Sequence, residues 1–93
     1  MFNNSFLKKL NILFIESNTE DREHFSNILY KFFNNVVVCS NGKDGIDNFL
    51  EKRQEYFVDI IICDKTLDDI TGIEVLKKIR EIDSEIPFII TSP

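Results

Sequence analysis

Two acidic side chains stand where apolar runs stop. Val58-Asp59-Ile60-Ile61-Ile62-Cys63 ends on Asp64, and Leu10-Asn11-Ile12-Leu13-Phe14-Ile15 ends on Glu16. Neighbouring strands lie about 4.8 Å apart, so parallel pairing of these runs would crowd both carboxylates at one rim of a sheet. Like charges at that range raise each other's pKa unless a cation lies between them. The pattern suggests a divalent-metal pocket with a reactive aspartate beside it.

The elements that must position these acids alternate between strand and helix. Leu10–Ile15 reads as the first strand. Asn18 or Thr19 can cap a helix whose first turn carries Glu20, Asp21 and Glu23, where the helix dipole favours acids. Phe25, Ile28, Leu29 and Phe32 recur at i, i+3, i+4 and i+7, which predicts an inward apolar stripe. Asn34-Asn35 ends that helix, and Val36–Cys39 is a short β-branched strand. Ser40-Asn41-Gly42 turns into a second helix with Ile46, Phe49 and Leu50 as its apolar face, fading through Glu51–Glu55. Val58–Cys63 is apolar on both faces, the signature of a strand covered by helices on each side. After the loop Asp64–Thr71, Gly72 opens a third helix reaching about Ile82, with Val75, Leu76 and Ile79 inward. Pro87 begins a last strand, Phe88–Ile90, which runs into Thr91.

This β-α-β-α-β-α-β order predicts an α/β fold, an open parallel sheet with right-handed crossovers and helices on both faces. The ligand crevice of such sheets lies outside the carboxyl ends of the strands. Glu16, Asp64 and Thr91 all fall at that rim. The Phe25, Phe32 and Phe49 set reads as core, His24 as an exposed helical side chain, and Lys65, Lys77 and Lys78 as solvated.

Composition narrows the function. Ninety-three residues make one domain at most, and 43% hydrophobic content is ordinary for a globular core. A formal charge of −5 argues against direct nucleic-acid binding by this segment. No apolar run approaches the length that crosses a bilayer, so no membrane association is expected. Met1–Lys9 lacks the order of a secretory signal, because its basic pair follows the apolar residues; a cytoplasmic location is the expectation. Cys39 and Cys63 have no second Cys or His at metal-ligand spacing. In this fold they end two strands flanking a third, about 9–10 Å apart and beyond disulfide reach.

From about Lys9 to Pro93 the chain resembles the receiver domain of two-component response regulators. The resemblance is strongest in Val58–Asp64, the loop Lys65–Thr71, and the helix Gly72-Ile73-Glu74-Val75-Leu76-Lys77-Lys78-Ile79-Arg80, with support from Ile12–Glu16 and Pro87–Ser92. It implies a flavodoxin-like sheet of strand order 2-1-3-4 in this segment, and a phosphoacceptor module rather than an enzyme. It implies Asp64 as phosphoacceptor, Glu16 as the first of two metal-binding acids, the Thr66 backbone carbonyl as a further Mg2+ ligand, Thr91 as the switch hydroxyl, and Gly72 as the start of the third helix. Ser17 stands in the place of the second acid, where it would be a weak metal ligand, since Mg2+ prefers charged oxygen. Asp68 replaces a frequent proline, and Thr71 a frequent acid. The implied partner is a sensor histidine kinase or a phosphotransfer protein, which phosphorylates Asp64 to switch a downstream output.

The resemblance further implies that residues 1–93 are a receiver lacking its carboxyl-terminal third: a helix, a fifth strand and a final helix, roughly 30 residues at typical lengths. The family's lysine and switch aromatic would lie there, so slow or no phosphorylation is expected of this segment alone. Two other readings stay open, a receiver used only as a protein-protein docking domain and a flavin-binding flavodoxin-like domain. The second lacks phosphate-cradling glycines in Glu16-Ser17-Asn18-Thr19. With Phe88–Ile90 as an uncovered edge strand, the 93-residue chain is expected to self-associate, as a homodimer or by exchanged elements. Analytical ultracentrifugation well above micromolar concentration tests this, and a clean monomer counts against it.

Overall fold

The computed structural model describes residues 4–53 and 58–92. Their elements run α1 (Asn4–Leu7), β1 (Asn11–Ile15), α2 (Thr19–Phe32), β2 (Asn35–Cys39), α3 (Gly42–Lys52), β3 (Ile60–Asp64), α4 (Gly72–Ile82) and β4 (Phe88–Thr91). The short α1 has no counterpart in the reading of the sequence. The other elements fall where periodicity puts them, within two residues at each strand end. Gln54–Phe57, over which the second helix was expected to fade, lie outside the described residues, as do Met1–Asn3 and Pro93.

The four strands form one parallel sheet of order β2-β1-β3-β4, the flavodoxin-like arrangement. Ile15 stands opposite both Cys39 and Cys63. The two thiols therefore flank β1 and are both free and buried. Burial pushes Cys39 up to about 11 and Cys63 up to about 12, with nearby carboxylates adding to both. Neither is a thiolate near neutral pH, which suits small apolar packing rather than chemistry.

Side-chain alternation assigns the layers. Leu13, Ile15, Ile61 and Cys63 point to one face, where they join Phe49 of α3 and Val75 and Ile79 of α4 in a single buried cluster. Ile12 and Phe14 point to the other face and are equally buried. Each fully buried aliphatic side chain contributes about 1.5–3 kcal/mol, so this register is strongly specified: a one-residue slip would turn every inward residue outward.

The expected inward stripe of α2 is corrected by the structure. Phe25, Ile28 and Phe32 are exposed, Leu29 is half-buried, and the buried residue of the helix is Ser26. The helix lies against β2 at the sheet's edge. Its aromatic side therefore borders a cavity above Phe14 and Ile62 instead of filling it. Of the expected aromatic core set only Phe49 is buried, and Leu50, the next residue round α3, is exposed. On α4, Val75 and Ile79 are inaccessible to solvent, and His24, Lys65, Lys77 and Lys78 are exposed.

Gly72 marks the tightest passage in the chain. A Cβ there would sit 2.5 Å from the backbone oxygen of Asp64, which cannot retreat without disturbing β3. Gly72→Ala is expected to destabilise the fold by roughly 1–3 kcal/mol, in the range of overpacked sites. Urea denaturation measures it, and unchanged stability would show that the loop after β3 yields freely.

Candidate functional site

The carboxyl ends of β1 and β3 are neighbours because Ile15 pairs with Cys63. Glu16 and Asp64 follow those residues directly. The Glu16 N–H donates to the Cys39 carbonyl at 3.0 Å, continuing the β1–β2 ladder past the last strand residue. Its side chain is buried at 6% exposure, and its Oε2 accepts from the Asn18 N–H at 3.1 Å. The Glu16 and Asp64 carboxyls lie within hydrogen-bonding reach of one another. Burial, together with the Asp64 charge and that contact, holds the Glu16 pKa above its ordinary value, against the lowering pull of the Asn18 N–H.

Thr91 completes this rim. It stands opposite Asp64 in the β3–β4 register, and its carbonyl accepts from the Lys65 N–H at 2.8 Å. Glu16, Asp64, Thr91 and Ser92 lie at the polar end of a cavity of about 260 Å3, whose apolar wall is Phe14, Phe25, Ile28, Leu29 and Ile62.

The loop after Asp64 folds back on itself. The Gly72 N–H donates to the Lys65 carbonyl at 2.8 Å, and Thr66 pairs with Thr71 in an antiparallel bridge. Thr71 then caps α4 in a reciprocal capping box with Glu74, at 3.1 and 3.2 Å. Thr66 is thus held two residues past Asp64.

Ser17 lies elsewhere. It faces a neighbouring polar depression with Arg22, Asp68 and Asp69, not the cavity that holds Glu16 and Asp64. Its hydroxyl donates to the Ser40 carbonyl at 2.7 Å and accepts from the Asp68 N–H at 3.0 Å. The weak ligand of the sequence reading is therefore engaged in joining loops. Arg22, which the sequence reading passed over, donates from one Nη1 to the carbonyls of Glu16 and Ser17 at 3.2 and 3.1 Å and clasps the turn behind the mouth.

Among the described residues no group of three or more His, Cys, Asp or Glu is arranged to hold a metal ion. Two crowded carboxylates remain. Mg2+ commonly takes one or two carboxylates and completes its octahedron with waters and phosphate oxygens. The hard oxygen donors present, and the crowding of the two carboxylates, fit such an ion.

The family model described as response regulator receiver domain matches residues 12–93. The chain is 35% identical over 72 residues to the sensory transduction protein LytT of Oceanobacillus iheyensis, covering 77% of this chain and 28% of that protein. It spans between 11% and 28% of the length of the curated relatives it matches. Among solved structures it is similar to a CheX-CheY-BeF3-Mg2+ complex from Borrelia burgdorferi, with a TM-score of 0.81 at 21% identity, covering 98% of this chain and 67% of that one. It is also similar to a co-crystal of the Saccharomyces cerevisiae phosphotransfer protein Ypd1 with the receiver domain of Ssk1, with a TM-score of 0.73 at 23% identity, covering 92% and 63%.

The raised Glu16 pKa has a definite sign in stability. A carboxyl that holds its proton more tightly when folded stabilises the fold fully below its unfolded value, near 4.5, and that contribution is lost as pH rises through the folded value. Glu16→Gln is expected to flatten the stability-pH curve of the metal-free chain above pH 4.5 and to raise stability at neutral pH. Thermal melts across pH measure both, and a curve that keeps its slope would remove Glu16 as the responsible group.

Proposed function

The chain belongs to the response regulator receiver domain family, and on that premise we propose that it takes a phosphoryl group onto Asp64 from the phosphohistidine of a sensor kinase or phosphotransfer protein. The observation that carries this reading is the meeting of Glu16 and Asp64 at one rim, with Thr91 in register beside them.

Asp64 is the nucleophile. One carboxylate oxygen attacks phosphorus in line, a P–O bond forms as the P–N bond breaks, and the electron pair leaves on the imidazole nitrogen. The product is an acyl phosphate. Such transfers are governed by positioning and by neutralisation of oxygen charge. Glu16, Asp64 and the Thr66 carbonyl would hold Mg2+, which supplies that neutralisation when bound. Glu16 keeps a second negative oxygen at the mouth, and Asn18 orients it. The Thr91 hydroxyl lies at the edge where it can donate to a phosphoryl oxygen. The apolar wall formed by Phe14 and Ile62 limits water beside the mouth.

Relatives of this shape suggest the partner class. One similar structure holds its receiver with BeF3 and Mg2+, and another holds its receiver against a phosphotransfer protein. The acidic charge of the chain and the absence, among the described residues, of any helix long and apolar enough to cross a membrane accord with a protein partner. An output downstream of the switch follows from the same reading.

The test uses the longest form that the reading frame encodes. Adding Mg2+ with beryllofluoride is expected to shift the backbone amides of Asp64, Lys65 and Thr91, and acetyl phosphate is expected to add one phosphoryl group that Asp64→Asn abolishes. Unshifted amides together with an unlabelled chain would reject Asp64 as acceptor and leave a docking module that works without phosphorylation.

A further inference from the structure

The loop between Asp64 and Gly72 carries two more acids, Asp68 and Asp69, close to a mouth that already crowds two carboxylates. The structure gives Asp69 a task of its own. Its Oδ1 accepts from the Gly42 N–H at 2.9 Å and its Oδ2 from the Lys43 N–H at 2.8 Å.

Those two donors are half of the four unpaired N–H groups that open any α-helix. Asn41 caps a third, accepting from the Asp44 N–H through its side chain at 2.8 Å, and its carbonyl takes the first regular helical bond, from the Gly45 N–H at 3.1 Å. Three open donors of α3 are therefore satisfied by side chains, two of them by a residue 27 and 26 positions away. A negative charge there also meets the positive end of the helix. Packing fixes the same junction: a Cβ on Gly42 would lie 2.5 Å from the Ile70 side chain, so only glycine lets the loop seat this closely on α3.

Ser17 supplies a second strap. Through one hydroxyl it joins the Asp68 N–H to the Ser40 carbonyl, so the turns after β1, β2 and β3 meet at one atom. Just before the two straps Leu67 is buried in the core at 9% exposure.

Resting on the reading of Glu16, Asp64 and the Thr66 carbonyl as the metal mouth, we propose that Asp69, seconded by Ser17, is a positioning residue that moors the 65–71 loop to the start of α3 and so fixes the Thr66 carbonyl beside Asp64. Groups that orient a metal ligand without touching the metal commonly change affinity by about 10–100-fold when removed. Asp69 is such a group, acting through the loop.

The experiment compares the unmodified chain with Asp69→Ala and Asp69→Asn. Mg2+ affinity is measured by calorimetry, and amide hydrogen exchange is measured without metal. Asp69→Ala is expected to weaken Mg2+ by about tenfold. It should also speed exchange at the Asp68 and Gly72 amides while the core amides of Leu13 and Ile61 keep theirs. Asp69→Asn retains one acceptor and should fall between. Ser17→Ala carries the same test by cutting the other strap, should Asp69→Ala fail to fold. A merely structural role would lower the melting temperature and leave Mg2+ affinity unchanged, and that result overturns the proposal, as does unchanged exchange in the loop. Absence of Mg2+ binding to the unmodified chain overturns the reading of the mouth and the positioning role with it, whereas the exchange data show independently whether the mooring exists.

Discussion

Two carboxylates at adjacent strand ends repel one another, and a parallel register holds them together regardless. Ile15 is locked between Cys39 and Cys63, and the burial of those side chains outweighs the cost of two crowded acids above them. The repulsion is not removed by the fold; it persists at the rim and, with burial, raises the Glu16 pKa. A cation between such charges relieves their repulsion. The sheet supplies rigidity and the rim supplies the unmet electrostatic demand.

Elsewhere the chain handles its acids differently. Asp69 is held below its ordinary pKa because backbone N–H bonds from Gly42 and Lys43 outweigh its desolvation. Asp83 is lowered first by the Glu85 N–H and then, against slight desolvation, by the Ile86 N–H, in the turn between α4 and β4. Arg80 closes the same turn through the carbonyls of Asp83 and Ile86. Asp59 accepts from the Asn11 N–H at the opposite end of the sheet from the mouth. These carboxylates are satisfied by backbone donors. Glu16 accepts from the Asn18 N–H as well, but it also faces the Asp64 carboxyl.

Much of this was legible along the chain. Strand runs that end on Glu16 and Asp64, a glycine at position 72 and helical spacing through Val75 and Ile79 specify the order of elements, and parallel crossovers then bring the two acids to one rim. The α2 stripe was misread because periodicity reports which residues share a face, not what that face meets. Phe25 and Ile28 share a face with Leu29, but the helix sits over β2 and turns that face towards a cavity, while Phe32 is exposed. Ser17 and Asp69 were misread or missed because a hydroxyl and a carboxylate have several uses, and the choice depends on donors far away in the chain. A signal for Asp69 did exist: Asn41-Gly42 opens a helix whose first two N–H groups have no local acceptor.

Sequence by itself determined the alternation of strand and helix, the apolar faces of the strands, and the two acids that end them, because those depend on local periodicity and on parallel connections having one hand. Tertiary structure alone decided that the Glu16 and Asp64 carboxyls come within hydrogen-bonding reach, that Ser17 joins three turns, and that Asp69 caps a distant helix. Each of these is a contact between segments separated by more than twenty residues, made by short polar groups that carry no periodic pattern, so only closure of the sheet selects among their partners.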